Sequence, residues 1–239
     1  MTKAESKVID FIKKHILLFL LVAVTIIAIF LRVCGMDFQS DDFNSFLNSW
    51  WSIIKLNDFT GLATQVGNYN IPYQVIIYLM TLLPLNALYA YKIVSIIFDF
   101  VLAISTAMLV YSFAKNNRRL KAILTYSAVL LSTTVIFNSS FWAQCDSIYT
   151  SFIILAILFL HKDKPIASFV FIGIAFAFKL QTVFIIPVLL YYWISTKKIS
   201  ILHFFIIPAV DVIMCLPAII MGRPFIDIIT IYAEQTDYG

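Results

Sequence analysis

ILLFLLVAVTIIAIFL, residues 16–31, contains no charge and is bracketed by Lys13 and Lys14 on one side and Arg32 on the other. Leu, Ile, Val and Phe recur around every face of any helix built from this run, so it has no water-facing stripe. The basic flank is like that of a secretory signal. No small-residue cleavage site follows it, because Arg32, Val33 and Cys34 stand there, and more apolar runs lie downstream. The run therefore reads as an uncleaved first membrane span.

The rest of the chain has the same character. Of its 239 residues, 62% are hydrophobic and 13% charged, with a mean hydropathy of +0.93. Ordinary soluble domains carry about a quarter charged residues. A soluble globule of this size could not cover such a core, which excludes a cytosolic enzyme, a disordered chain and a secreted disulfide scaffold. What remains is an all-α, polytopic helical membrane protein. The net charge of +4 is modest, and the basic residues fall in short groups between apolar runs, so no nucleic-acid surface is indicated. Cys34, Cys145 and Cys215 have no paired spacing and read as small apolar packers. His15, His161 and His203 are scattered and read as structural.

Further spans are expected at about 89–113, 122–137, 147–160, 166–178, 182–195 and 201–221, seven in all. Lys3, Lys7, Lys13 and Lys14 precede the first. Lys115, Arg118, Arg119 and Lys121 separate the second and third, Lys162 and Lys164 the fourth and fifth, and Lys197 and Lys198 the sixth and seventh. Twelve of the 17 basic residues thus lie on alternate connections, which share one side. The positive-inside bias makes that side cytoplasmic, with the N-terminus inside and the end of the chain outside. Segment 71–84 would break this parity and is short for a core of ~30 Å at 1.5 Å per residue. It reads as an interfacial or re-entrant helix in a long outer loop, 34–88, which carries amphipathic helices.

Three polar clusters stand out. The first is DFQSDDFNSFLNSWW, residues 37–51, with Asp37, Asp41 and Asp42 just past the first span. Phe43, Phe46, Leu47, Trp50 and Trp51 follow at helical spacing, which suits an interfacial helix with its tryptophans at headgroup depth. The aspartates read either as a solvated acidic turn or as carboxylates held against apolar surface, where one can serve as a general base. The second is FWAQCDSIY, residues 141–149. Trp142, Asp146 and Tyr149 share one face if a helix begins there, and Gln144 adds an amide. Such a set suits a sugar site, or an aromatic belt with a helix cap at Asp146. The third is FKLQ, residues 178–181, an outward turn between two short spans. A lysine at membrane depth costs at least ~2.5 kcal/mol. A water-filled outer recess would relieve that cost, and Lys179 there suits either a lipid-linked phosphate or an ion pair with an acid such as Asp99 or Asp211. Arg223 is a second phosphate candidate or an interfacial anchor. Lys92 and Asp99 share a helix face and read as structural.

In this order the clusters resemble one family. S-x-D-F after the first span, NYNIPY at 68–73, WAQCDSIY at 142–149, FKLQ at 178–181 and IYAEQ at 231–235 are similar to the Gpi18-like mannosyltransferases of the GT-C superfamily of membrane glycosyltransferases. The resemblance covers nearly the whole chain from Arg32 onward. It implies a GT-C-like fold and inverting transfer of a sugar from a polyprenyl-phosphate carrier to a glycan or glycolipid acceptor, on the extracytoplasmic face of the cell membrane. It implies no nucleotide sugar. The family's loop pattern is similar to Ser-Gly-Asp-Tyr, so in Ser40-Asp41-Asp42-Phe43 the motif carboxylate falls on Asp42, and Asp41 stands where Gly is usual. The catalytic carboxylate is therefore Asp42 or Asp41. By the same resemblance Lys179, Arg223 and Gln181 would meet the donor phosphate, and Trp142, Gln144, Asp146 and Tyr149 the sugar. A divalent metal fits the outer aspartates, but no ligand spacing argues for one. Family members continue well past the Tyr-x-x-Gln segment, so the chain is expected to be an N-terminal half that lacks a C-terminal partner portion. Two other readings remain at this point, a transporter or lipid flippase and an inactive fragment.

Overall fold

The computed structural model describes residues 1–234; Gln235 of the IYAEQ segment lies outside them. The described residues are all-α, with no strand among them. Helix α1 (Lys3–Val33) opens with a reciprocal cap. The Thr2 hydroxyl accepts the Glu5 amide at 3.2 Å, and the Glu5 carboxylate accepts the Thr2 amide at 2.6 Å. After a short loop come α2 (Asn48–Asn57) and α3 (Ile71–Thr81), then the long α4 (Ala87–Phe113). The bundle continues through α5 (Arg118–Leu130), the short α6 (Thr133–Ile136), α7 (Asp146–His161), α8 (Pro165–Phe178), α9 (Ile186–Thr196), α10 (Ile206–Ile220) and α11 (Phe225–Glu234). Single 3₁₀ turns lead into α9 and α10, at Leu180–Ile185 and Ile201–Phe205.

Three helical stretches are long and apolar enough to cross a membrane: Lys3–Val33, Ala87–Phe113 and Ile201–Ile220. A bent pair made of α5 and the segment Thr133–Phe141 would make a fourth if it crosses as one. The protein covers little of these helices. Phe19, Val22, Ile26 and Phe30 of α1 and Ile97 and Ile104 of α4 are exposed. A contiguous apolar surface of this kind is unfavourable in water and at home in lipid, so the described fold is compatible with a membrane protein.

The helix expected over 122–137 is broken. α5 ends at Leu130, Ser132 is extended, and the chain restarts at a 51° bend. The break frees the Leu130 carbonyl, which accepts the Arg32 guanidinium at 3.0 Å. Arg32 is buried, donates to the Ala28 carbonyl at 3.1 Å and pairs with Asp99 at 2.9 Å. Asp99 also accepts the Ser139 and Ser147 hydroxyls at 2.5 and 2.6 Å. One buried, fully engaged carboxylate thus fastens α1, α4, α7 and a π-helical turn at Phe137–Phe141 to each other. Lys92, also buried, donates its ammonium to the carbonyls of Gly35, Met36 and Phe38 and so pins the chain leaving α1. Both side chains join segments distant in sequence.

Segment 34–88 departs from expectation in one respect. A π-helical turn, Phe43–Leu47, runs into α2, but Trp50 and Trp51 are only 9% and 5% exposed. They face inward against Tyr69 and Tyr91, with ring centroids 5.7 and 6.1 Å apart. Phe46 is the one that faces out. The tryptophans are core, not belt, because α3 and α4 supply an aromatic surface for α2 to cover. Helix α3, capped by the Asn70 side chain on the Ile71 amide at 2.8 Å, buries Tyr73, Ile77 and Met80 within the same cluster and Ile71 in a second one with Leu62, Cys215 and Ala218.

Candidate functional site

Segments distant in sequence meet where the first loop crosses the start of α7. The Ser40 hydroxyl accepts the Phe43 amide at 3.1 Å and lies 3.2 Å from the Trp142 carbonyl, to which it donates. This fixes the acidic turn beside the 142–145 segment. Asp42 is exposed, and its Oδ2 accepts the Gln144 amide at 2.8 Å. The neighbouring Asp41 is exposed and forms no side-chain hydrogen bond among the described residues. Gln144 reaches Asp42 because Ala143 takes a left-handed backbone conformation, φ 58°, which turns the chain sharply before α7.

The Gln144 Oε1 accepts the Tyr69 hydroxyl at 3.3 Å. Tyr69 sits in a loop shaped by Gly67, whose φ is +73°. A Cβ at Gly67 would lie 2.3 Å from the Trp50 ring, so only glycine lets the loop pass over the tryptophan. Burial, and behind it Cys145 and Asp146, push the Tyr69 phenol well above its ordinary pKa, so it stays a donor.

Lys179 stands at the end of α8 in an extended conformation that turns it out of the helix. Its ammonium pairs with Asp146 Oδ1 and lies 5.6 Å from the centroids of both the Tyr69 and Tyr149 rings. Asp146 Oδ2 accepts the Asn138 amide at 2.8 Å. Burial alone would lower the Lys179 pKa; the Asp146 carboxylate, joined by Cys145 and Tyr149, more than offsets that and holds it above 10.5. The pair keeps water access, with side-chain exposures of 19% for Lys179 and 38% for Asp146. Of the two pairing partners expected for Lys179, neither Asp99 nor Asp211 is used.

A second polar group backs the 65–70 loop. Arg223, buried, donates to Gln65 Oε1. The Gln65 amide donates to the Gly67 and Tyr69 carbonyls at 2.6 and 2.9 Å. Gln74 donates to Gln65 at 3.0 Å and to the Tyr69 carbonyl at 3.1 Å. Asn70 donates to Asp211 and to the Tyr232 hydroxyl at 3.3 and 3.4 Å.

The fold therefore gathers Asp42, Gln144, Asp146, Tyr149 and Lys179. Arg223 touches the loop that carries Tyr69 rather than lying at a free surface. Gln181 is exposed on its 3₁₀ turn and forms no side-chain hydrogen bond among the described residues. Trp142 is not on the α7 face shared by Asp146 and Tyr149, because α7 begins only at Asp146. Its ring is 47% exposed and lies 6.1 Å from that of Phe137. Nor does Asp146 cap α7, since its carboxylate is spent on Lys179 and Asn138. Tyr69 and Asn138 are site members that the sequence did not single out. NYNIPY was a signal for the first, while the second is an amide on an otherwise apolar and hydroxylic turn. Among the described residues no three His, Cys, Asp or Glu side chains converge as a metal site would require.

Chemically, the arrangement couples an accessible carboxylate, oriented by an amide, to a protonated amine held between two phenol rings and a second carboxylate. Comparison with known protein families, with curated proteins and with solved structures gives no match for this chain.

Proposed function

We propose that the chain is a membrane glycosyltransferase of GT-C type that takes a sugar, mannose by its motif resemblance, from a polyprenyl-phosphate carrier. The observation that supports this most is the connected path from Asp42 through Gln144 and Tyr69 to Lys179. It unites a proton acceptor with a cation, the two charges an inverting displacement requires. Asp42 accepts the proton of the acceptor hydroxyl as that oxygen attacks the anomeric carbon. The bond from this carbon to the phosphate oxygen breaks, and its electron pair leaves on the phosphate. Lys179 stabilises that developing charge, the polyprenyl phosphate displacing Asp146 as its partner. Gln144 aims Asp42. The exposed Trp142 ring stacks on the sugar, with Asp146 and Tyr149 beside it. Gln181 flanks the phosphate, and Arg223 steadies the 65–70 loop behind it.

In this reading the chain crosses the membrane seven times, the shorter helices α7, α8 and α9 completing the set. Helix α7, at 1.5 Å per residue, is about 24 Å long and suits a locally thinned or recessed membrane. The site then opens on the extracytoplasmic face, opposite the basic connections.

The test is Asp42→Asn in the protein at its full natural length, assayed in proteoliposomes with a lipid-linked mannose. Loss of a positioned base lowers turnover about 10²–10⁴-fold. The same change at Asp41 lowers it only a few fold. Unchanged turnover on losing the Asp42 carboxylate overturns the proposal.

A further inference from the structure

A groove of about 650 Å³ runs between α1 and the α4–α5 pair, remote in sequence from the polar cluster around Asp42. This is within the roughly 300–1,000 Å³ typical of small-molecule sites. Its walls are apolar, built from Leu21 on α1, Ile104, Ala107 and Met108 on α4, and Ile123 on α5. One end is closed, where Thr25 and Tyr126 share a hydrogen bond of 3.0 Å beside the packed Val24, Ala28 and Ala103. The other end opens on Arg118 and Lys162. It adjoins a polar crevice that shares Tyr111 and Arg118 and adds Lys115 and Arg119.

Two features of this mouth specify an occupant. No Asp or Glu lines the groove or the crevice, and none of these four cations joins an ion pair among the described residues. Arg118 is also fixed in place. Its Nε donates to the Tyr111 carbonyl at 2.9 Å, and its guanidinium lies 4.5 Å over the Tyr111 ring. An open apolar groove, stopped at one end and ending at the other in a preorganised cationic rim, matches a molecule with a hydrocarbon tail and an anionic head. Basic pockets between membrane helices recognise anionic lipid headgroups in this way.

We infer that this groove binds one anionic phospholipid of the bilayer, with an acyl chain between α1 and the α4–α5 pair and its phosphate against Arg118 and Lys162. The lipid fills a seam that protein contacts leave open and adds to the hold that Thr25 and Arg32 give α1 on the rest of the bundle.

The test is native mass spectrometry of the full chain in detergent, titrated with dioleoylphosphatidylglycerol or dioleoylphosphatidylcholine. One phosphatidylglycerol is retained in preference to phosphatidylcholine. Each charge removed, by Arg118→Gln or Lys162→Gln, weakens retention about fivefold, the equivalent of about 1 kcal/mol per basic residue. Lys3→Gln with Lys7→Gln removes two charges away from the groove and leaves retention unchanged. Ala107→Phe, which fills the slot, abolishes it. Equal retention of the two lipids, equal loss on neutralising Lys3 and Lys7, or a second copy of the chain in place of the lipid overturns the inference.

Discussion

Lys179 and Asp146 carry the electrostatics of the site, and their value comes from being incompletely buried. Because more than a third of Asp146 remains in water, solvent screens the pair, and its contribution to stability is of the order of 1 kcal/mol, not that of a sealed pair. That is weak enough for the phosphate of the proposed donor to replace the carboxylate. The sign of the pH dependence follows from the lysine. Its pKa is raised above 10.5 in the fold, so the stabilisation is complete below the unfolded lysine value and is lost only as pH rises through the higher folded one. Asp146→Asn removes the main interaction that opposes burial, which lowers the Lys179 pKa. At mildly alkaline pH the amine of this variant then reacts faster with an acylating reagent than in the parent, measured by peptide mass spectrometry. Equal acylation rates would show that Asp146 does not set the protonation of Lys179.

At the scale of elements, the site depends on irregular backbone: two π-helical turns, the left-handed Ala143 and the Gly67 turn. Sequence patterns revealed the residues but not these devices. The spacing of Phe43, Leu47, Trp50 and Trp51 announced an apolar helix face. Whether that face meets lipid or protein depended on α3 and α4, whose aromatic surface the local pattern does not encode. The third apolar run likewise gave no sign of its break, which is stabilised by a guanidinium from another helix taking the Leu130 carbonyl. Asp42, Gln144 and Lys179 were legible because a polar side chain in so apolar a chain needs a reason. Their mutual contacts were not, since a loop without side-chain periodicity, 64–70, makes the bridge. Gly67 is where that bridge is most exposed to a single change. Gly67→Ala places a methyl against the Trp50 ring at a positive φ. Overpacking and backbone strain each cost about 1–3 kcal/mol. The variant melts earlier in detergent, and Tyr69 is displaced from Gln144, so activity falls with stability. An unchanged melting temperature would mean that Trp50 does not hold the loop.

For the whole molecule, α4 sets the distance between the two polar ends. Its 27 residues at 1.5 Å each span about 40 Å, more than the ~30 Å hydrocarbon core. Lys92, near its start, holds the Gly35 to Phe38 segment that follows α1. The basic connection at 115–121 lies beyond its other end. If α4 crosses the bilayer, Cys34 and that connection must emerge on opposite faces, and in the proposed topology the connection, rich in Lys and Arg, is inside. The cysteines themselves provide the readout. Cys34 is exposed, whereas Cys145 and Cys215 are buried. Burial pushes the Cys145 thiol up to about 12, leaving almost no thiolate to react. An impermeant maleimide applied to intact cells therefore labels Cys34 alone. In an Asn116→Cys variant the added thiol is labelled only after the membrane is opened. Labelling of both without opening would mean that α4 does not cross, and the reverse pattern would put Asp42 and Lys179 on the cytoplasmic face, where an extracytoplasmic transfer from a lipid-linked sugar could not take place.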